Sequence, residues 1–287
     1  MKNIKKAILI TVLSVLSCLF LMICPGFIRK YSVIHAFWIS YLAYFFTTLF
    51  FLRKFPGHKK IIIVSFIATL IGVFIFLCYG SGLHNFALPI VSGFICASFF
   101  AYLFNAGNSF QQKAVVILFF CGIGVFYIFW GYPCWTNYVC FGNFTQKTNE
   151  QIPSSWPYYM NTATGQELTA SSNKDKLFLF DFYNTRCGVC FKKFPILQKT
   201  YDKYKDNHNI SIFAVNIPWQ GDSPGLALQK INERKYTFPV LLGKNKSDSI
   251  FGVQVYPTII LFRNDTIFFK GDIENVTGVI EKELRNK

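Results

Sequence analysis

All 14 acidic residues of this 287-residue chain lie at Glu150 or beyond it. The first 149 residues carry 11 basic groups, from Lys2 to Lys147, and no carboxylate. A water-soluble domain cannot be built that way, whereas apolar spans joined by basic loops can sit in a bilayer. The net charge of +15 is therefore a topology signal. It is no nucleic-acid footprint, because the basic residues flank apolar runs and form no stripe among aromatics.

Five apolar stretches reach the roughly 17–25 residues that a helix needs to cross a hydrocarbon core: 7–24, 32–52, 61–79, 86–104 and 114–131. The fourth is interrupted by Pro89 and Gly93. With the start of the chain in the cytoplasm, Lys2, Lys5, Lys6, Arg53, Lys54, Lys59, Lys60 and Lys113 fall inside, and only Arg29 and Lys30 fall in the outer loops. That bias places everything after residue 131 outside the cytoplasm. A rival reading takes residues 1–17, ending at Ser17-Cys18, as a lipoprotein-type signal cleaved at Cys18. Against it, the chain stays apolar through 19–24. Either reading leaves the C-terminal half outside.

The expected division is 1–132 for the membrane helices, 133–163 for an extracytoplasmic connector and 164–287 for a soluble fold. Pro153, Ser154, Ser155, Pro157 and Gly165 punctuate the connector, which trails to about 172. Beyond it the pattern predicts a strand at 176–183 and a helix at 187–206, where Phe194, Leu197, Tyr201 and Tyr204 recur at near-helical spacing. A strand at 211–217, a helix at 224–236 and a short strand at 238–242 follow, the last weakened by Pro239. Strands at 258–263 and 266–270 meet at Asn264-Asp265, and a helix at 275–285 closes the chain. This order argues for an α/β fold with a central mixed sheet, preceded by an all-α transmembrane bundle.

The apolar run 177–183 stops at Asn184-Thr185-Arg186 and presents Cys187 and Cys190 where a helix begins. Positions i and i+3 on a helix are neighbours, so the two sulfurs can close a ring far too short to staple a fold. Its use is to open and close. At the helix start Cys187 meets unpaired backbone N–H groups and the positive end of the dipole. Arg186 adds a cation, and together these favour the thiolate. Cys190, one turn further in, is placed to resolve a mixed disulfide. The alternative, a zinc half-site, needs two more ligands, and no second close Cys/His pair accompanies it in this half. Neither a metal nor another cofactor is expected. Asp181 stands among six apolar neighbours, which is costly unless it has a partner or a task, or reaches water at the strand end.

Phe180-Asp181-Phe182, the helix-opening Cys187-Gly188-Val189-Cys190, Pro195 and the run 251–262 containing Pro257 stand at the spacings of the thioredoxin family. The stretch 211–236 resembles the membrane-tethered TlpA/ResA branch. The resemblance covers about 164–287, and the five-span region resembles no family. It implies a thioredoxin-like thiol–disulfide oxidoreductase held in the bacterial inner membrane, facing the periplasm, with protein thiols and disulfides as substrates. It gives Asp181 the proton-transfer role toward Cys190, makes Pro257 cis, and turns Tyr256, Pro257 and Arg186 toward substrate. Reduction of partner disulfides, as in cytochrome c maturation, leads. An oxidative-folding donor and a non-catalytic binding module are the alternatives. Three positions depart from the pattern: Arg186 replaces the usual tryptophan, Val189 replaces proline, and Lys193 stands where the tethered branch often has glutamate.

Cys134 and Cys140 follow the last expected span, where a structural disulfide, an exchanging pair and free thiols are all open. Cys18, Cys24, Cys78, Cys96 and Cys121 read as small apolar residues of the spans. No carboxylate or lysine sits mid-span to suggest an ion path, so the bundle reads as an anchor or docking element.

Overall fold

A computed structural model of the chain describes residues 2–29, 33–80, 84–165, 175–223, 225–244 and 247–285. Parts of the expected connector (166–172), the start of the expected helix at Pro224, and Lys30, Ser32 and 81–83 at span ends lie outside these residues, as do the side chains of Cys24 and Cys78. The chain divides into two compact units, Met1–Thr136 and Asn137–Lys287.

The first unit is helical: α1 (Lys2–Arg29), α2 (Val33–Lys54), α3 (Lys59–Gly80), α4 (His84–Ala106) and α5 (Phe110–Phe126). Among the described residues, five helices are long and apolar enough to cross a membrane. Each expected span has its helix, and α4 runs unbroken past Pro89 and Gly93. A Cβ at Gly93 would lie 2.9 Å from the Phe37 ring, and one at Gly124 would lie 2.7 Å from Trp38. These two glycines therefore let α4 and α5 approach α2. Inside, Tyr41 stacks on Phe120 with centroids 4.4 Å apart and donates to its carbonyl at 3.0 Å. Tyr44 stacks on Phe94 and donates to the carbonyl of Cys18 at 2.9 Å. Outside, Phe20, Phe46, Phe76 and Leu118 are exposed. Water would penalise such a surface, and lipid would not.

The fifth span does not stop at residue 131. A π-helical turn, Tyr127–Gly131, in which the Tyr132 N–H reaches back to the Tyr127 carbonyl, carries the chain into α6 (Tyr132–Phe141). The wider turn lets the helix pass Pro133, which has no N–H to give. The resulting helix of 32 residues, Phe110–Phe141, is about 48 Å long against a hydrocarbon layer of roughly 30 Å.

The second unit is built on a seven-stranded mixed sheet. Its strands are β1 (Lys147–Gln151), β2 (Met160–Thr162), β3 (Leu177–Tyr183), β4 (Ile210–Asn216), β5 (Val240–Gly243), β6 (Thr258–Arg263) and β7 (Thr266–Gly271). The order across the sheet is β1-β7-β6-β3-β4-β5-β2. Strands β3, β4 and β5 run parallel, and β6, β7 and the two edges pair antiparallel. The helices are α7 (Gly188–Tyr204), α8 (Leu226–Glu233), α9 (Ser247–Ile250) and α10 (Thr277–Arg285).

Side chains alternate across β3. Leu177, Leu179 and Tyr183 pack with Phe194 and Leu197 of α7, Ile231 of α8 and Ile280 of α10. Phe178, Phe180 and Phe182 face the other way, onto Ile152, Trp156, Met160 and Phe251. The stretch expected as a connector supplies both edge strands and the cover of the second face. Trp156 is the reason. Its ring meets Phe178, Phe180, Phe251 and Phe262 edge-on, and its Nε1 donates to Asp265 Oδ1 at 3.0 Å. Burying one such side chain contributes about 1.5–3 kcal/mol, which polar turn residues on either side do not forfeit.

Candidate active site

Every residue of β3 is buried, as befits a central strand paired on both edges. Beyond Tyr183 the chain turns: Asn184 Oδ1 accepts from the Arg186 N–H at 3.0 Å, and the Asn184 carbonyl accepts from the Cys187 N–H at 3.2 Å. This side-chain-to-backbone turn delivers Cys187 to the N-cap of α7 in extended conformation, and its Sγ accepts from the Cys190 N–H at 3.1 Å. Sulfur here takes the place that a hydroxyl or carboxylate oxygen usually fills at a helix start.

Cys187 and Cys190 are bonded to one another. Their environments differ sharply. Cys187 is partly exposed and flanked by exposed Gly188 and by Val189, which is 53% exposed, whereas Cys190 is 0% exposed. An incoming sulfur can reach the first and not the second. Opened, the outer thiolate would lie against the free N–H groups and positive pole of α7.

Asp181 is 1% exposed and neither carboxyl oxygen has a hydrogen-bond partner. Burial, and then the charge of Asp272, holds this carboxyl well above the usual aspartate range, while Lys193 pulls the other way. It does not reach water at the strand end. Tyr183, two residues on along the same strand face, has its hydroxyl pushed up by burial and by Asp181.

The Tyr256–Pro257 peptide bond is cis. Tyr256 is half-buried and packs at the margin of both apolar clusters, one of which Cys187 also borders. Its hydroxyl donates to Asp248 Oδ2 at 2.7 Å, and burial, with that bond, raises its pKa. Arg186 is exposed, and its guanidinium lies 5.6 Å over the Trp219 ring. Pro195 sits inside α7, which continues through it.

Several partners of this site carry no motif and were not expected. Thr185 Oγ1 donates to Asp222 Oδ2 at 2.6 Å, and that oxygen also accepts from the Trp219 N–H at 3.1 Å. The Thr185 bond, above all, holds the Asp222 carboxyl below its ordinary range. Lys230 donates to the Thr185 carbonyl at 2.7 Å, and Arg234 lies 4.5 Å from the centre of the Phe191 ring. Lys193 is hydrogen-bonded to Asp272. The turn Gly221-Asp222 is the only local signal that could have drawn attention to this rim.

Cys134 and Cys140 are not bonded to each other; both are free thiols on α6. Six positions along a helix correspond to a rise of about 9 Å, more than the roughly 4.4–6.8 Å between the Cα atoms of a disulfide. A bridge would require that helix to unwind. Among the described residues, no group of three or more His, Cys, Asp or Glu side chains could hold a metal ion.

Fold and site together define a class: over its C-terminal half the chain is a thioredoxin-like thiol–disulfide oxidoreductase. Its relatives are of the ResA kind. It is 28% identical over 159 residues to thiol-disulfide oxidoreductase ResA of Geobacillus kaustophilus, covering 53% of this chain and 82% of that protein. It is 25% identical to thioredoxin-like protein YneN of Bacillus subtilis, covering 55% and 89%. Among solved structures, the thioredoxin domain of a thiol-disulfide oxidoreductase from Bacteroides vulgatus is 22% identical, covers 48% of this chain and 94% of that one, and has a TM-score of 0.36. A thiol:disulfide interchange protein from Bacteroides sp. is 24% identical, covers 47% and 88%, and has a TM-score of 0.38. No known protein-family profile matches the chain.

Proposed function

We propose that this chain is a membrane-held reductase of protein disulfides, with its C-terminal half outside the cytoplasm at the bacterial inner membrane. The observation that carries the reading is the bonded Cys187–Cys190 pair, with its outer sulfur accessible at a helix start and its inner sulfur buried. In the reduced form Cys187 attacks a partner disulfide, and its bond to one partner sulfur forms as the partner's own S–S bond breaks. Cys190 then gives its proton to Asp181 and attacks Cys187, releasing the reduced partner and closing the ring. Tyr256, Pro257 and Arg186 contact the partner beside the bridge. Supporting an outward orientation are the basic loops of the first half. A compartment that permits disulfides is also where such a pair has work.

The reductive direction, with cytochrome c maturation as the leading process, follows the resemblance to TlpA/ResA-type proteins. An electron donor of unassigned identity must reopen the ring. A reduction potential well below the roughly −180 mV of isomerases is expected for the full chain in detergent, and a value near −120 mV would make it an oxidant instead. Cys190→Ser should accumulate mixed disulfides through Cys187, and Cys187→Ser should accumulate none. Equal trapping by both variants would sink the assignment of the attacking sulfur.

A further inference from the structure

Alternation along β3 puts Asp181 on the face of Leu179 and Tyr183, beneath α7 and the buried sulfur of Cys190. Across the sheet Asp181 is paired with Ile259, and Ile259 with Gly271. The residue after Gly271 is Asp272, so it stands at the end of this row. The turn Ile273–Asn275 that follows packs against α7. There Asp272 accepts the ammonium of Lys193, and Glu274 Oε1 lies 3.7 Å from the same nitrogen. Lys193 follows Cys190 by three residues and so shares its face of α7. The Asp272 N–H in turn donates to Gln146 Oε1 at 3.1 Å. One ammonium, one-fifth exposed, is thus bonded to a partly solvated carboxylate and near enough to act electrostatically on Asp181, a buried carboxyl with no hydrogen-bond partner.

We infer that Lys193 and Asp272 are positioning residues for the proton step: bonded to each other they leave Asp181 a neutral acid, and parted they deliver Lys193 as the counter-ion of an ionised Asp181. The inference rests on the proposed redox cycle and specifies how its buried acid is controlled. In the closed form, Asp181 holds the proton and Lys193 holds Asp272. When a donor thiolate opens the ring, the Cys190 sulfur leaves with the electron pair and takes the proton from Asp181. Lys193 then swings to the new carboxylate, where low dielectric makes one opposite charge effective. When Cys190 later attacks Cys187, it returns that proton and the two electrons go to the partner's sulfurs. The charges acting on Asp181 are Asp272, from the turn after β7, and Lys193, from α7; Tyr183 shares its strand face, Glu274 lies against Lys193, and the partners across the sheet, Ala214 of β4 and Ile259 of β6, are apolar.

The test uses the full chain in detergent, turning over insulin disulfides with dithiothreitol as reductant, across pH. Lys193→Met should move the acid limb of the rate profile up by roughly one pH unit, and Asp272→Asn should move it down by a similar amount. Lys193→Arg should restore the parent profile, and both shifts should vanish in an Asp181→Asn background. Shifts of the same sign, an unmoved limb, or shifts that survive Asp181→Asn overturn the inference. If the parent shows no turnover that Cys187→Ser abolishes, the functional reading fails instead. An activity-independent readout then decides this one. The infrared band of a protonated carboxyl, assigned by its loss in Asp181→Asn, should disappear on reduction of the parent and persist on reduction of Lys193→Met. Identical behaviour of the two proteins overturns it.

Discussion

Asp181→Asn should stabilise the C-terminal half at neutral pH although it removes a group placed at the redox centre. Burial and Asp272 raise the folded-state pKa of Asp181, whereas the unfolded chain titrates near 3.9. Below about pH 4 both states are protonated and the carboxyl costs nothing through ionisation. Between the unfolded and the folded value, the unfolded chain has lost a proton that the folded one keeps. Stability there falls by about 1.4 kcal/mol for each pH unit. Above the folded value the penalty is complete and constant. Against a typical total of roughly 5–15 kcal/mol, each pH unit of that window is a sizeable fraction. Urea unfolding of the oxidised full chain in detergent, followed by pulse proteolysis of the C-terminal half, gives the difference between parent and variant at each pH. Groups common to both proteins, including Glu150 and Asp222, cancel in that difference. A parent-minus-variant curve that is flat from pH 4 to 8 would refute the reasoning.

Trp156→Ala should destabilise the same half by about 3–5 kcal/mol, because the ring is 4% exposed and meets four phenylalanines; the same proteolysis assay reads it. Gly124→Leu should lower the thermal midpoint of the membrane half in detergent, since even a Cβ there would stand 2.7 Å from Trp38, while the reduction potential stays at the parent value. A maleimide applied to the unreduced, denatured protein should label Cys134 and Cys140 but neither Cys187 nor Cys190, with peptide mass spectrometry as the readout; protection of the first two would show that they are bridged.

The legible parts were those in which local chemistry repeats. The continuous apolar run of β3, the near-helical recurrence of Phe194, Leu197, Tyr201 and Tyr204, and the Asn264-Asp265 turn each announce themselves within a few residues, and all three elements stand where expected. The edge strands do not. Lys147–Gln151 is held by backbone pairing to β7 and carries no apolar alternation, and Met160–Thr162 is only three residues long. The fifth expected span ends at residue 131, yet a π turn carries the helix past Pro133 and on to Phe141. At the site, the two cysteines and Asp181 are visible from spacing. Asp272 is not, because it meets Lys193 across 79 positions of chain, and no local pattern encodes such a meeting.

Gln146 ties the start of the second unit to the turn after β7. Its side chain receives N–H groups from Asp272 and Asn275 and gives one to Asn137 Oδ1 at 2.8 Å. The strip of chain just beyond the last long helix is therefore sewn into the floor of the redox module. A soluble fragment trimmed at residue 164 would cut those stitches, strip the sheet of both rims and leave the Asp272 turn unbraced. Fragments meant for potentiometry or crystallisation should begin no later than Asn137.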